Sequence, residues 1–365
     1  MTSSLSAVVA TAGAPFVVDR VRLPRLVGNQ VLVRVEAVGI CHADLGARAG
    51  DFPVPYPVVL GHEGCGVVVG VGPAVTAIRP GQRVVLTFDS CGSCSQCRAD
   101  RPSRCVHLLT RNWTGDTASP RAAGASADVH VGFFGQSAFA EYAIAGERNA
   151  IPVDTTLSAE LLAPLGCGVQ TGFGAVRNVL RPVPGDVVAV FGAGAVGLSA
   201  VMACSDVGGI TVVVVDPDPA RRALAQELGA SVAVDADAGD PADAIRQRFP
   251  GGVQGAVECS GRTSAFAAAV LSCGTGGTTV VVGAPPFGTL AGLDVADVVN
   301  SSKRIVGSVE GDSVPGESIP HLVGLIERGR LPVDRLVTTY PLAEIERAAQ
   351  DMATGRVVKP VLTFT

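Results

Sequence analysis

The six residues GAGAVG, Gly192 to Gly197, narrow most what this chain can fold into. They follow the apolar run VVAVF and open the helical pattern LSAVMA. Asp216 ends the next apolar run, TVVVVD, close to the roughly 20-residue offset at which a ribose-binding carboxylate is expected. A glycine triplet alone is a weak signal; with its strand, its helix and its acid it predicts a parallel βαβ unit that holds a dinucleotide. Gly192 permits the tight turn, Gly194 lets backbone approach a pyrophosphate, and Gly197 allows the helix to sit close to the strand, with the helix N-terminus facing the phosphates. Asp216 would bond the ribose hydroxyls and repel a 2′-phosphate, which favours NAD. Arg221 and Arg222, just downstream, could neutralise such a phosphate, so use of NADP stays open.

The rhythm around this unit divides the chain. Before it, QVLVRVEAVG, VVLGHEGCGVVVGVG and GQRVVLTF read as short strands punctuated by Gly and Pro. From about Gly185, strands and helices alternate, as in a parallel sheet covered on both faces. The tail after about Val309 reads helix, strand, helix, strand, and is expected to rejoin the first region. The expected organisation is a β-rich domain of residues 1–155 and 312–365 and an α/β domain, a doubly wound parallel sheet, of residues 156–311. Thr110 to Val131, rich in small and polar residues, reads as a long loop.

At 365 residues, with 47% hydrophobic and 17% charged, both domains can bury full cores. A net charge of −5, with Lys and Arg scattered, offers no basic field to nucleic acid or to an anionic membrane. The start, MTSSLSAVVATAG, has no basic leader, and no apolar run reaches the roughly 18–20 residues of a membrane span. The expectation is a cytoplasmic protein with reduced thiols whose partners are small molecules.

Four of the ten cysteines, Cys91, Cys94, Cys97 and Cys105, form a C-x2-C-x2-C-x7-C array. Four thiolates on one ion satisfy tetrahedral zinc and leave no open position, the form of a structural site. An iron–sulfur cluster or four unligated thiols are the competing readings, the last disfavoured because clustered exposed thiols oxidise. Cys65, Cys204, Cys259 and Cys273 read as small buried hydrophobes. Three further motifs lie far apart: CHAD at Cys41 to Asp44, GHEG at Gly61 to Gly64, and GCGVQTG at Gly166 to Gly172. Each alone is unpersuasive.

In order and spacing, these motifs resemble the zinc-containing medium-chain alcohol dehydrogenases over essentially the whole chain. The runs FFGQSAFAEYAIAGERNAIPV, FGAGAVGLSAVMA and SVEGDSVPGESIPHLVGLIERGRLP look most like the aryl-alcohol (benzyl alcohol) dehydrogenases and nearly as much like relatives that oxidise allylic terpenoid alcohols. The resemblance implies a GroES-like catalytic domain and a Rossmann domain, two zinc ions per chain, NAD, a primary alcohol or aldehyde as substrate, and a homodimer or homotetramer. It is this resemblance, not their spacing, that implies Cys41, His62 and Cys167 together as two thiolates and an imidazole leaving the fourth zinc position to substrate. It implies further roles by position. Asp44 would hold the His62 imidazole, Glu63 would lie beside the metal as an alternative ligand, and His42 and Lys359 would contact the cofactor pyrophosphate. Thr171 would lie near the nicotinamide, with Val196 behind its ring.

The chain departs from that family at one place. Ala43 stands where a Ser or Thr hydroxyl usually conducts the alcohol proton, and Gly46 stands where some members carry a relay histidine. An alanine can neither donate nor accept a hydrogen bond. Beside the alcohol dehydrogenase reading stands a zinc-bound NADH-dependent reductase of a conjugated aldehyde, enone or iminium; a nucleotide-binding sensor without chemistry is the third. Phe52, Phe88 and Trp113 are candidate wall residues of the substrate pocket and equally plain core aromatics.

Overall fold

A computed structural model describes residues 2–116, 119–124 and 127–364. The chain forms two compact units, one of Met1–Cys167 with Val314–Thr365, the other of Gly168–Ser313. These divisions fall at 167/168 and 313/314 rather than at 155/156 and 311/312. The segment Ala159–Gly166 carries an apolar face, with Leu162 and Leu165 fully buried, and belongs to the first unit.

The first unit joins a closed barrel to a seven-stranded sheet. The strand Gln30–Gly39 is the backbone of that sheet. Its alternation buries Val31, Val33 and Val35 while Arg34 stays exposed, the period-two pattern of a half-buried strand. It pairs antiparallel with Glu63–Val71 on one side and with the terminal strand Lys359–Thr363 on the other, in the register Val361↔Gly39 and Leu362↔Val38. The chain's last strand is thereby built into the sheet that carries its first motifs. Phe133, Phe139, Leu60, Ile40 and Leu86 are fully buried here, each worth about 1.5–3 kcal/mol of burial.

Thr110 to Val131, expected as a loop, is largely ordered structure. A helical turn spans Thr110–Thr114, and the strands Arg121–Ala123 and Asp128–His130 pair antiparallel within the barrel, with Ala122 and Val129 facing inward. Small residues disguised the alternation; residues 117, 118, 125 and 126 of this stretch lie outside the described set.

The second unit is a six-stranded parallel sheet in the order Val232–Asp235, Thr211–Asp216, Val187–Phe191, Val253–Glu258, Cys273–Val281, Arg304–Gly307. Val188, Val190 and Val212 to Val214 are fully buried, as strands covered by helices on both faces require. The strand order reverses between Val187–Phe191 and Val253–Glu258, where a doubly wound sheet opens its ligand crevice. Among the described residues, no helix is long and apolar enough to cross a membrane.

Candidate metal centres and dinucleotide site

The helix His42–Ala49 explains how two distant motifs meet. Asp44 occupies its third position and its Oδ2 accepts from the Cys41 backbone N–H at 2.9 Å, closing the helix start. The other oxygen, Oδ1, accepts from the Gly61 N–H at 3.0 Å and lies 2.9 Å from His62 Nδ1. One buried carboxylate therefore holds both the Cys41 loop and the His62 ring. Gly61 is left-handed, with φ of +90°, and a side chain there would run into Phe139. Cys167 follows the turn Ala163–Gly166, at a place where Gly166 packs against the Leu86 carbonyl too closely for any side chain.

The result is a cluster in which the ligand atoms of Cys41, His62, Glu63 and Cys167 all lie within 4.8 Å of one another. With Nδ1 engaged by Asp44, His62 turns Nε2 inward, and that atom is buried with no hydrogen-bond partner. A buried polar atom left so is costly unless something binds it. The Cys41 thiol is held well below its usual pKa by the Cys167 thiol, helped by Lys359 and His62 against the effect of burial. His62 is raised well above its usual value: burial works against the charge, but Asp44 overrides it. Burial pushes Glu63 up to about 7 even though Lys359 opposes it. Two thiol sulfurs, one of them favouring the anion, with an inward imidazole nitrogen and a carboxyl make a donor set that suits a zinc-sized cation.

Lys359 was expected at a cofactor phosphate. Its Nζ is buried, 2.8 Å from Glu63 Oε1 and 3.0 Å from the Ile40 carbonyl. The terminal strand brings it inward, and burial of Glu63 demands a cation nearby. His42 is exposed at the first position of its helix, and Ala43 is half-buried.

Around His62 stands a chain of rings. Phe134 stacks on the imidazole with centroids 4.4 Å apart, Trp113 meets Phe134 edge-on at 4.9 Å, and Phe52 meets Trp113 at 4.4 Å. A Cβ on Gly46 would lie 2.5 Å from Phe52, so the ring occupies the room a side chain at 46 would need. Phe88 is buried in the core of the unit.

The second cluster brings the Sγ atoms of Cys91, Cys94, Cys97 and Cys105 within 4.8 Å of one another, and none forms a disulfide. Backbone N–H groups of Ser93 and Cys94 donate to Cys91 Sγ at 3.4 and 3.3 Å, and that of Cys97 to Cys94 Sγ at 3.4 Å. Burial opposes ionisation of Cys91, but these donors bring it down to about 5, whereas burial pushes Cys97 up to about 12, with its neighbouring thiols adding to the rise. Four thiols so close would ionise together only around a shared cation.

In the second unit the glycine loop takes up its three tasks separately. Gly192 is left-handed at φ +93°, and a side chain on Gly197 would collide with the Gly192 carbonyl. Gly194 caps the helix Ala195–Val207, and a Cβ added there would meet nothing closer than Arg221 Nη1 at 3.9 Å, so the space beside the helix start is open. Asp216 Oδ2 accepts from the Ala193 N–H at 2.6 Å and Oδ1 from the Asp218 N–H at 2.9 Å, so the carboxylate also fixes the loop. Arg222 is tied to the Asp216 and Pro217 carbonyls and to Asp235, while Arg221 donates to the Ala193 carbonyl at 3.3 Å. Val196 is half-buried in the helix's first turn.

Thr171 Oγ1 donates to Glu310 Oε2 at 3.3 Å, and Gln170 Nε2 does so at 3.1 Å. Glu310 went unnoticed in the sequence. It begins three consecutive left-handed residues, Glu310, Gly311 and Asp312, and an acid followed by glycine and acid just past a strand was the available signal.

Residues 28–155 match the model of the alcohol dehydrogenase GroES-like domain, and residues 195–328 that of the zinc-binding dehydrogenases. A geraniol dehydrogenase of Castellaniella defragrans is 42% identical over 99% of this chain and 98% of its own. Among solved structures, an alcohol dehydrogenase zinc-binding domain protein from Burkholderia ambifaria is 46% identical, with a TM-score of 0.95 over 100% of this chain and 99% of its own. The benzyl alcohol dehydrogenase of Acinetobacter calcoaceticus is 39% identical, with a TM-score of 0.95 over the whole of both chains. With family models covering most of its length and relatives at this identity end to end, the chain belongs to the zinc-containing medium-chain alcohol dehydrogenases.

Proposed function

We propose that this enzyme moves a hydride between NAD(H) and a conjugated primary alcohol or aldehyde, aryl or allylic, using one zinc held by Cys41, His62 and Cys167 and a second held by the four-cysteine cluster. The observation that carries the metal reading is the inward, partnerless Nε2 of His62 beside two thiols, with Asp44 fixing the tautomer from the other side. Zinc bound there acts as a Lewis acid toward the substrate oxygen. Asp44 keeps the imidazole oriented, and Lys359 balances the charge of Glu63. The rings Phe134, Trp113 and Phe52 beside His62 offer flat apolar surface to a conjugated substrate, and the relatives named for geraniol and benzyl alcohol support the same class.

NAD rather than NADP is supported by Asp216, whose carboxylate is pinned by two backbone N–H groups and cannot swing away from a 2′-phosphate. Arg222 is already committed to Asp235 and two carbonyls.

A second reading, reduction of a conjugated carbonyl with NADH, is favoured by Ala43, which offers no hydroxyl to carry away an alcohol proton. One screen tests both: kcat/KM in each direction for benzyl, cinnamyl and terpenoid alcohols and aldehydes, with NAD(H) and NADP(H), on enzyme of measured zinc content. The expected result is two zinc per chain, preference for NAD(H) and turnover of conjugated over saturated substrates. One metal per active chain, or equal turnover of saturated alcohols, sinks the corresponding part. Reduction with almost no oxidation selects the second reading.

A further inference from the structure

Taking Cys41, His62 and Cys167 as metal ligands, we infer that Gln136 is a positioning residue for that centre, held in a strained turn that clamps the His62 segment. Gln136 is fully buried in a largely apolar stretch, FFGQSAF. Its Nε2 donates to the His62 carbonyl at 2.9 Å and to the Thr87 carbonyl at 3.0 Å, while its Oε1 accepts from the Gly64 N–H at 3.2 Å. One amide thus fixes the backbone on both sides of the His62–Glu63 pair. The Thr87 hydroxyl donates to the Gly166 carbonyl at 2.6 Å, immediately before Cys167. Gln136 and Thr87 therefore tie two of the three ligand-bearing segments to each other through their backbones.

The backbone carrying Gln136 is in a conformation that chains avoid. Phe134 has φ of +50° and Ser137 +48°, either side of the left-handed Gly135 at +63°. Such residues cost on the order of 1–3 kcal/mol each and persist where their surroundings over-determine them. The surroundings are on the page. Asn149 Nδ2 donates to the Gly135 carbonyl at 3.1 Å and to the Thr87 carbonyl at 3.2 Å, and Ser137 Oγ accepts from the Phe133 N–H at 2.9 Å. The same turn lays Phe134 flat on the His62 ring and Phe133 edge-on to it at 5.7 Å. His62 is gripped by its Nδ1 through Asp44, by its face through Phe134 and by its carbonyl through Gln136. An apolar residue in the same place would leave the His62 carbonyl and the Gly64 N–H without this partner, so the amide fixes the ligand loop while satisfying it.

The test is competition for zinc between the zinc-loaded enzyme and the chelating dye 4-(2-pyridylazo)resorcinol, run alongside thermal unfolding. Wild type should yield one exchangeable and one retained zinc. Gln136→Glu keeps the acceptor for Gly64 but turns a carboxylate toward two carbonyls; Thr87→Val removes the hydroxyl and with it the bond to Gly166. The exchangeable zinc should be held about 10–100-fold more weakly in Gln136→Glu and measurably more weakly in Thr87→Val, the retained zinc being unchanged in both. A merely structural role would lower the melting temperature and loosen both zinc ions together or neither; either pattern overturns the inference. If Gln136→Glu does not fold, Thr87→Val decides alone by the same readout. A wild type with a single class of zinc overturns the metal reading itself, and the positioning role with it.

Discussion

Lys359→Met is the sharpest perturbation the structure suggests, because two readings of this residue predict opposite results. Its side chain is 3% exposed and that of Glu63 is not exposed at all, with Nζ and Oε1 2.8 Å apart. Removing one partner of a buried pair strands the other charge and costs about 3–5 kcal/mol. In a unit of this size that lowers Tm by roughly 2–4 °C per kcal/mol, so a fall of about 6 °C or more is expected. The double variant Glu63→Gln/Lys359→Met removes the stranded charge and should recover much of the loss, giving a coupling energy on the order of 2 kcal/mol or more. The assays are thermal and urea unfolding of the four members of the cycle, with NADH affinity followed by fluorescence. A Tm within about 1 °C of wild type together with a tenfold or greater rise in the NADH Kd would refute the reasoning, since Lys359 would then serve a cofactor phosphate and not Glu63.

Four further outcomes are expected. Asp216→Gly should relax NAD preference and, because Asp216 also anchors the Ala193 N–H, lower the stability of the second unit; unchanged kcat/KM ratios for NAD and NADP would refute the first part. Ala43→Thr should raise benzyl alcohol oxidation at pH 7 more than at pH 9, within the roughly 10²–10⁴-fold that acid–base assistance supplies, and an unchanged pH–rate profile would mean that another group carries the proton. His130 is buried, and burial brings its pKa down to about 4, so folding resists a proton that the unfolded chain accepts near 6.5. Its contribution is intact above pH 6.5 and is lost as pH falls toward 4; by pH 5 the loss is about 2 kcal/mol, and His130→Asn should shrink the stability difference between pH 8 and pH 5 by that amount in urea unfolding. The edge strand Arg304–Gly307 pairs on one side only and lies in a segment that exposes Leu290 (90%), Val295, Val299 and Ile305, so the chain should self-associate there; Ile305→Lys should reduce the mass seen by light scattering, and a monomeric wild type would refute it.

What could be read from the sequence was what local chemistry announces. The glycine loop with its flanking strand, helix and Asp216, and the two sets of cysteines and histidine, are short patterns whose residue types have few other uses, and the fold draws each set of side chains together. Gln136 had no such pattern. Its partner His62 lies 74 residues away, and only the oddity of a lone amide between FFG and SAF hinted that a buried polar group there must be answered by something. The Thr110 to Val131 stretch misled for the opposite reason, since Ala and Gly in a barrel hairpin alternate in burial without alternating in hydrophobicity.

Lys359 shows what electrostatics adds to position within a motif once the fold is known. A lysine near the end of the chain can be aimed outward at a phosphate or inward at a carboxylate, and the residues beside it, KPVL, do not say which. The terminal strand pairs beside Gly39, and Gly39 packs against the Glu63 carboxyl so closely that no side chain fits between them. A carboxylate with no exposed surface next to the Cys41 thiol, which favours the anion, makes a negative place, and a cation 2.8 Å away is the least costly answer available to it. The same negative charge would draw a zinc-sized ion to His62 Nε2, so on the proposed reading Lys359 and the metal serve one field. Metal affinity should therefore change when Lys359 is removed even though its ammonium makes no bond to a ligand atom of His62, Cys41 or Cys167.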